Sequence, residues 1–258
     1  MDQHLEVALS GAIPALIAMW LVDRLDAKRP EPLRLRWGVT VVGMVMVLPA
    51  IVIELTLMRH VGPSLAPAYT YQYASFNAFV VAAAVEEACK ILVVYFIVWG
   101  RPEFDERMDG IVYAARAGLG FALVENVMYL VNAPDMHGQI LMWIERALLA
   151  VPGHAMWTGM IGASAARWRF DRRGLGLVGG YLLAVAFHGA YDCSVFVRQP
   201  LNIEGRDLVS TVMIAAPIVL TILAFLVLRA MARTALRLDD ADAARAAAAA
   251  AAARGVSA

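Results

Sequence analysis

Val85-Glu86-Glu87-Ala88-Cys89-Lys90 puts two carboxylates and an ammonium in the middle of an apolar run, residues 74–99. That run is otherwise long enough to cross a bilayer as a helix of about 20 residues or more. Each ionisable group at the centre of such a helix costs roughly 2.5–3.5 kcal/mol, so the three together cost on the order of 8–10 kcal/mol. The apolar side chains around them return about 0.3–0.6 kcal/mol apiece, and about a dozen of them do not clearly balance the charge. The stretch therefore has to face a protein interior or a wet cavity, and the other helices must supply one.

Composition agrees. With 258 residues, 61% hydrophobic, only 17% charged and a mean hydropathy of +0.64, the chain is too apolar for an ordinary soluble domain. It reads as an all-α, polytopic transmembrane bundle of about seven spans, near residues 5–22, 37–58, 74–99, 111–131, 139–165, 175–197 and 208–228. No Lys or Arg precedes the first span, so it reads as a retained helix, not a signal peptide. Pro14, Pro49 and Pro217 read as kinks. Residues 1–238 form the membrane domain, and the Ala-rich residues 239–258 read as a flexible tail. Sixteen Lys and Arg lie in alternate loops and after the last span, against Arg59, Arg198 and Arg206 on the other side. The positive-inside rule then sets the N-terminus outside and the C-terminus in the cytoplasm. A zero net charge gives no basic face for nucleic acid. Cys89 and Cys193 both sit in apolar runs and read as buried small hydrophobes.

The informative residues are the polar ones inside the spans. Glu86, Glu125, His154 and His188 each fall about a dozen to fifteen residues into a different span, which at ~1.5 Å per residue is near the midplane for all four. Glu86 and Lys90 are four apart, as are His188 and Asp192, so each pair shares a helix face. Small residues, among them Gly118, Gly120, Gly159 and Gly180, would let spans three to six close around one polar site. Glu145 and Arg146, near a membrane end, read as snorkelling or paired.

Peptide hydrolysis needs a water activated, an oxyanion stabilised and a leaving amine protonated, and this inventory supplies each. Glu86 is the first choice to activate water, with His188 assisting. Glu87 and Glu125 are co-catalysts or metal ligands, and His154 and Asn126 are oxyanion donors. Lys90 tunes its neighbours, and Asp192 and Asn126 either orient catalytic groups or join helices. Glu86, Glu125, His154 and His188 could instead hold zinc, a two-histidine, carboxylate type of donor set. The zinc and metal-free versions both stay open at this point. A structural ion pair of Glu86 and Glu87 with Lys90 or Arg116 is the plainer reading of the same charges. A proton- or ion-coupled transporter would use similar groups. Against that rival, the groups collect at one depth and no inverted repeat is evident.

These residues also carry a resemblance. Val85-Glu86-Glu87-Ala88-Cys89-Lys90, Asp109-Gly110-Ile111-Val112-Tyr113, Gly120-Phe121-Ala122-Leu123-Val124-Glu125-Asn126, Pro152-Gly153-His154 and Phe187-His188-Gly189-Ala190-Tyr191-Asp192, in that order, resemble the PrsW family of intramembrane proteases. Asp26-Ala27-Lys28-Arg29-Pro30-Glu31-Pro32 looks like that family's motif after its first helix. The wider CAAX-protease-like superfamily uses Glu-Glu-x-x-x-Arg, Phe-x-x-x-His and His-x-x-x-Asn. Here Lys90 comes one position early, Glu125 stands for a histidine and Asp192 for an asparagine, which fits PrsW and not prenyl-protein processing. The resemblance implies a multi-pass protein of the bacterial inner membrane, partnered by the bilayer and by a single-span membrane protein substrate. Anti-sigma factors are the family's known kind of target.

Overall fold

The computed structural model describes residues 3–65, 67–68 and 70–255, and among them every regular element is helical. Five segments are long and apolar enough to cross a membrane: Gln3–Leu25, Leu33–Ser64, Arg107–Val131, Gly176–Ile203 and Asp207–Arg254. The expected third and fifth spans are also helical along their length, but they carry the charged residues of the site. The rods are α1 (Gln3–Leu25), α2 (Leu33–Ser64), α3 (71–97), α4 (Arg107–Val131), α5 (136–171), α6 (Gly176–Phe196) and α7 (Ala215–Gly255).

Proline sets the breaks in three rods. The helical pattern is interrupted at Gly11, at Met46 and at residues 213–214, in each case three or four residues before Pro14, Pro49 or Pro217. A proline ring clashes with the carbonyl four residues back and donates no hydrogen bond to it, so the turn before each proline opens. Two further irregularities are π-helical turns, Asn77–Ala84 in α3 and Arg146–Ala150 in α5. Each ends a few residues before a site residue, Glu86 or His154. Such turns shift all later side chains around the helix axis, and they recur at functional sites.

α4 is the axis of the bundle. Its residues 107–122 are buried on every side, whereas α1, α2 and α7 turn Ile17, Trp20, Leu48, Val52, Ile222 and Phe225 outward. An apolar outer ring around a buried central helix is what a lipid solvent selects. Close crossings make α4 central. A Cβ at Gly118 would lie 2.6 Å from the His154 carbonyl oxygen on α5, and one at Gly110 would meet the Gly162 carbonyl at 2.4 Å. Thr40 on α2 leaves no room for a Cβ at Gly120. Gly176 is needed for its backbone and not for its size, because its φ of +65° makes the turn into α6.

The last rod differs from expectation. The helix expected to end near residue 228 runs on to Gly255, and residues 239–242, assigned from sequence to a flexible tail, belong to its packed part. Asp239 is buried. It accepts from the Arg107 and Met108 backbone N–H groups, both at 3.1 Å, and from the Arg107 guanidinium at 2.8 Å. It thus caps the N-terminus of α4 from another helix, where unsatisfied N–H groups favour a carboxylate. Asp171 and Asp242 hold the same guanidinium. Residues 256–258 of the expected tail lie outside the described residues.

Candidate active site

The four midplane groups meet. α3 brings Glu86, Glu87 and Lys90, α4 brings Glu125, α5 brings His154 and α6 brings His188. Lys90 is wholly buried. Its ammonium donates to Glu86 Oε2 and Glu87 Oε1, both at 2.9 Å, and lies 2.7 Å from His154 Nδ1 and 4.5 Å from the Phe121 ring centre. Three donors on one nitrogen are matched by three acceptors, which is how a charge survives there. An ammonium has no lone pair, so His154 Nδ1 must accept, and the proton of the ring sits on Nε2. That nitrogen reaches Glu125 Oε2 at 2.9 Å.

The two adjacent glutamates are not equivalent. Glu87 is completely enclosed: Oε1 takes Lys90 and lies 3.0 Å from His188 Nδ1, while Oε2 accepts from Thr158 Oγ1 at 2.8 Å. Glu86 lies one residue earlier, about 100° around the helix, and lines two adjoining cavities. Its Oε2 stands 3.9 Å from both His154 Nδ1 and His188 Nε2. His188 lies between carboxylates, with Glu87 at Nδ1 and Asp192 at 3.3 Å from Nε2, and its ring is stacked on Trp157 at 4.2 Å. The smaller cavity, about 160 Å³, is lined by Glu86, Glu125, Arg146, His154, His188 and Asp192. The larger, about 500 Å³, runs from Glu86 and Glu125 past Phe121 and Tyr129 to the far ends of α2 and α6.

Asn126 is placed differently from the donor role read in the sequence. Its amide nitrogen donates to the Gly11 carbonyl at 2.6 Å, at the break in α1, and its oxygen accepts from Arg146 Nε at 2.8 Å. It joins α1, α4 and α5. Arg146 belongs to the site. Nη2 donates to Glu125 at 2.8 Å and the guanidinium covers the Tyr129 ring, while the side chain stays on the cavity wall. The sequence offers it as a snorkelling or paired group, and pairing is what occurs. Glu54 on α2 also lines the larger cavity and was passed over. The signal that singled out Glu86, an ionisable residue inside an apolar run, was present at Glu54 too.

Glu86, His154 and His188 each offer a ligand atom, and these atoms all lie within 4.8 Å of one another. Two histidines and a carboxylate are a zinc-type donor set. A tetrahedral zinc with bonds of about 2.0–2.1 Å holds its ligands about 3.3 Å apart; the two 3.9 Å separations from Glu86 need a small contraction, and the two histidine nitrogens lie within 4.8 Å of each other. Glu87 on His188 Nδ1 and Glu125 on His154 Nε2 are the outer carboxylates that orient ligating histidines. The donor set fits a metal, provided that Lys90 releases His154 Nδ1.

Comparison with known proteins points one way. Residues 31–228 match the PrsW family, described as intramembrane metalloprotease. The chain is 32% identical to the protease PrsW of Geobacillus kaustophilus over 192 residues, covering 74% of this chain and 80% of that protein. It is 28% identical to the protease PrsW of Clostridioides difficile over 199 residues, 75% and 81% of the two chains. The Bacillus subtilis protease PrsW is 29% identical over 192 residues, 73% and 80%. No solved structure matches.

Proposed function

The chain belongs to the PrsW family of intramembrane metalloproteases, multi-pass membrane enzymes that hydrolyse peptide bonds, and from that premise we propose that Glu86 activates the attacking water while Glu87 serves as its fixed support. The observation that carries this is the contrast between a glutamate open to two cavities and a neighbour whose oxygens are all engaged. Glu86 takes a proton as the water oxygen bonds to the scissile carbonyl carbon. The oxyanion that forms falls to Arg146, whose guanidinium has five N–H groups, of which Nε and Nη2 carry one protein bond each. As the C–N bond breaks, His188, set between Glu87 and Asp192, delivers a proton to the leaving amine and Glu86 returns its own to the solvent. In a metal-bound form Glu86, His154 and His188 would instead be the ligands, and the base would be Glu125, the other glutamate on the wall of both cavities. The metal would there polarise the carbonyl and acidify the water.

The substrate we propose is a single-span membrane protein, an anti-sigma factor being the kind the family resemblance implies. A helix must unwind to expose a peptide bond. The 500 Å³ cavity, walled by Ile51, Phe121, Met128 and Tyr129 with Glu86 at its end, suits such an unwound apolar segment. The loop charges support a bacterial inner-membrane setting with the N-terminus outside, so that the cavity opens toward the outer face. The transporter reading is not favoured, because the polar groups form one closed cluster. Membrane proteomes of cells making the wild type or Glu86→Gln will identify the substrate as the protein shortened only in the former. Purified protein then tests the mechanism on it: unchanged cleavage by both Glu86→Gln and His188→Ala sinks the assignment.

A further inference from the structure

A second set of carboxylates lies at the opposite end of α4 from Glu125, in the stretch after the first helix that the proteolytic site leaves unused. Asp26 and Glu31, in the segment between α1 and α2, converge with Asp109 in the first turn of α4, and one oxygen from each lies within 4.8 Å of the others. All three are buried, Asp26 to 2% exposure and Asp109 to 0%. Asp26 carries the decisive observation: both of its carboxylate oxygens are buried and neither has a hydrogen-bond partner. Glu31 and Asp109 lie against one another as a carboxyl pair, and one oxygen of each is also engaged elsewhere. Asp109 Oδ2 accepts from the Asp105 and Glu106 backbone N–H groups at 2.8 and 2.7 Å, and Glu31 accepts from the Tyr113 hydroxyl. Arg29 acts on Asp26 through space only, its Nε and Nη1 being turned to Glu106 at 2.6 Å and Asp240 at 2.9 Å.

We infer that Asp26, Glu31 and Asp109 form a binding site for a hard divalent cation, Mg²⁺ or Ca²⁺, which fastens the segment between α1 and α2 to the start of α4. An unpaired carboxylate is not left buried without reason, because its desolvation goes unanswered. A donor set made only of carboxylate oxygens, with no histidine or cysteine, selects hard cations over zinc. The site is therefore chemically distinct from the histidine-containing one in the membrane. α4 carries Asp109 at one end and Glu125 four turns further along, so the cation would fix the helix that delivers Glu125.

Mn²⁺, a spectroscopic stand-in for both ions, tests this directly. The purified full-length chain carrying His154→Ala and His188→Ala, stripped with chelator and titrated with Mn²⁺ by electron paramagnetic resonance, is expected to bind one ion. Mg²⁺ or Ca²⁺ should displace it, and whichever competes at the lower concentration is the resident ion. Asp26→Asn and Glu31→Gln should each weaken binding at least about tenfold. In the wild type, Mg²⁺ or Ca²⁺ should raise the melting temperature saturably, an effect Asp26→Asn removes and His154→Ala does not. Two results overturn the inference: no Mn²⁺ bound by the wild type, or binding and thermal shift unaffected by Asp26→Asn and Glu31→Gln. A melting temperature that responds to pH but not to either cation would show that protons, not a cation, hold the cluster.

Discussion

Replacing Glu87 with Gln should unfold the protein early, whereas replacing Glu86 with Gln should silence it and leave it folded. Glu87 has zero exposure and takes Lys90, His188 and Thr158 at 2.9, 3.0 and 2.8 Å. A glutamine can keep its oxygen for Lys90 and His188 and turn its NH₂ to the Thr158 hydroxyl, which can accept, but it removes the negative charge that the Lys90 ammonium faces. A charge-assisted bond becomes a neutral one and the buried ammonium loses half of its counter-charge, at about 1.5–3 kcal/mol for the bond alone. Breaking one side of a buried ion pair costs about 3–5 kcal/mol in total. For a chain of this size that is a fall in melting temperature of about 6–20 °C. Glu86→Gln keeps an oxygen for Lys90 and faces a cavity, so its melting temperature should stay within about 3 °C of wild type. Its cleavage rate should fall about 100-fold or more, as expected for loss of a general base. Cys89 is buried beside these residues and Cys193 is partly exposed, so in a Cys193→Ser background a thiol-reactive dye reads unfolding at the site itself. If Glu86→Gln melts as early as Glu87→Gln, or if it cleaves at the wild-type rate, the division of labour between the two glutamates is wrong.

Other consequences can be measured independently. Gly118→Ala puts a Cβ 2.6 Å from the His154 carbonyl oxygen and 2.8 Å from Thr158 Oγ1, so α4 and α5 must part. It should cost about 1–3 kcal/mol and lower cleavage up to about 100-fold. Gly159→Ala, which meets the flexible Leu228 side chain at 3.3 Å and Ala115 Cβ at an ordinary 3.9 Å, should behave as wild type in both assays. Arg146→Gln should lower kcat by about 10²–10³ with KM little changed, and Arg146→Lys should recover part of the loss; steady-state kinetics on the identified substrate separate the two constants. The metal-bound form predicts about one zinc per chain in wild-type protein by elemental analysis and none in His154→Ala or His188→Ala. Chelation should abolish cleavage and added zinc should restore it; full activity in metal-free protein would leave Glu86 and Arg146 to act without a metal.

The sequence alone determined the all-helical, membrane-crossing class and the set of helices that build the site. Both follow from local quantities: the length of an apolar run, the insertion cost of Glu86, Glu87 and Lys90 within it, and the depth of Glu125, His154 and His188 in theirs. What those side chains do to one another was not legible, because it depends on rotation about helix axes. Adjacent Glu86 and Glu87 have identical chemistry in the sequence, and only the packing of α3 against α5 and α6 encloses one and opens the other. Asn126, beside Glu125, turns away to donate to the Gly11 carbonyl at the broken turn of α1. Arg146 enters the cavity at the start of a π turn, an irregularity invisible to any 3.6-residue periodicity. Asp239 lies far along the chain in a stretch that reads as tail, and its burial against Arg107 exists only once α7 has packed beside α4. The tertiary structure decided these roles because each is a contact between residues distant in sequence, and no local preference encodes it.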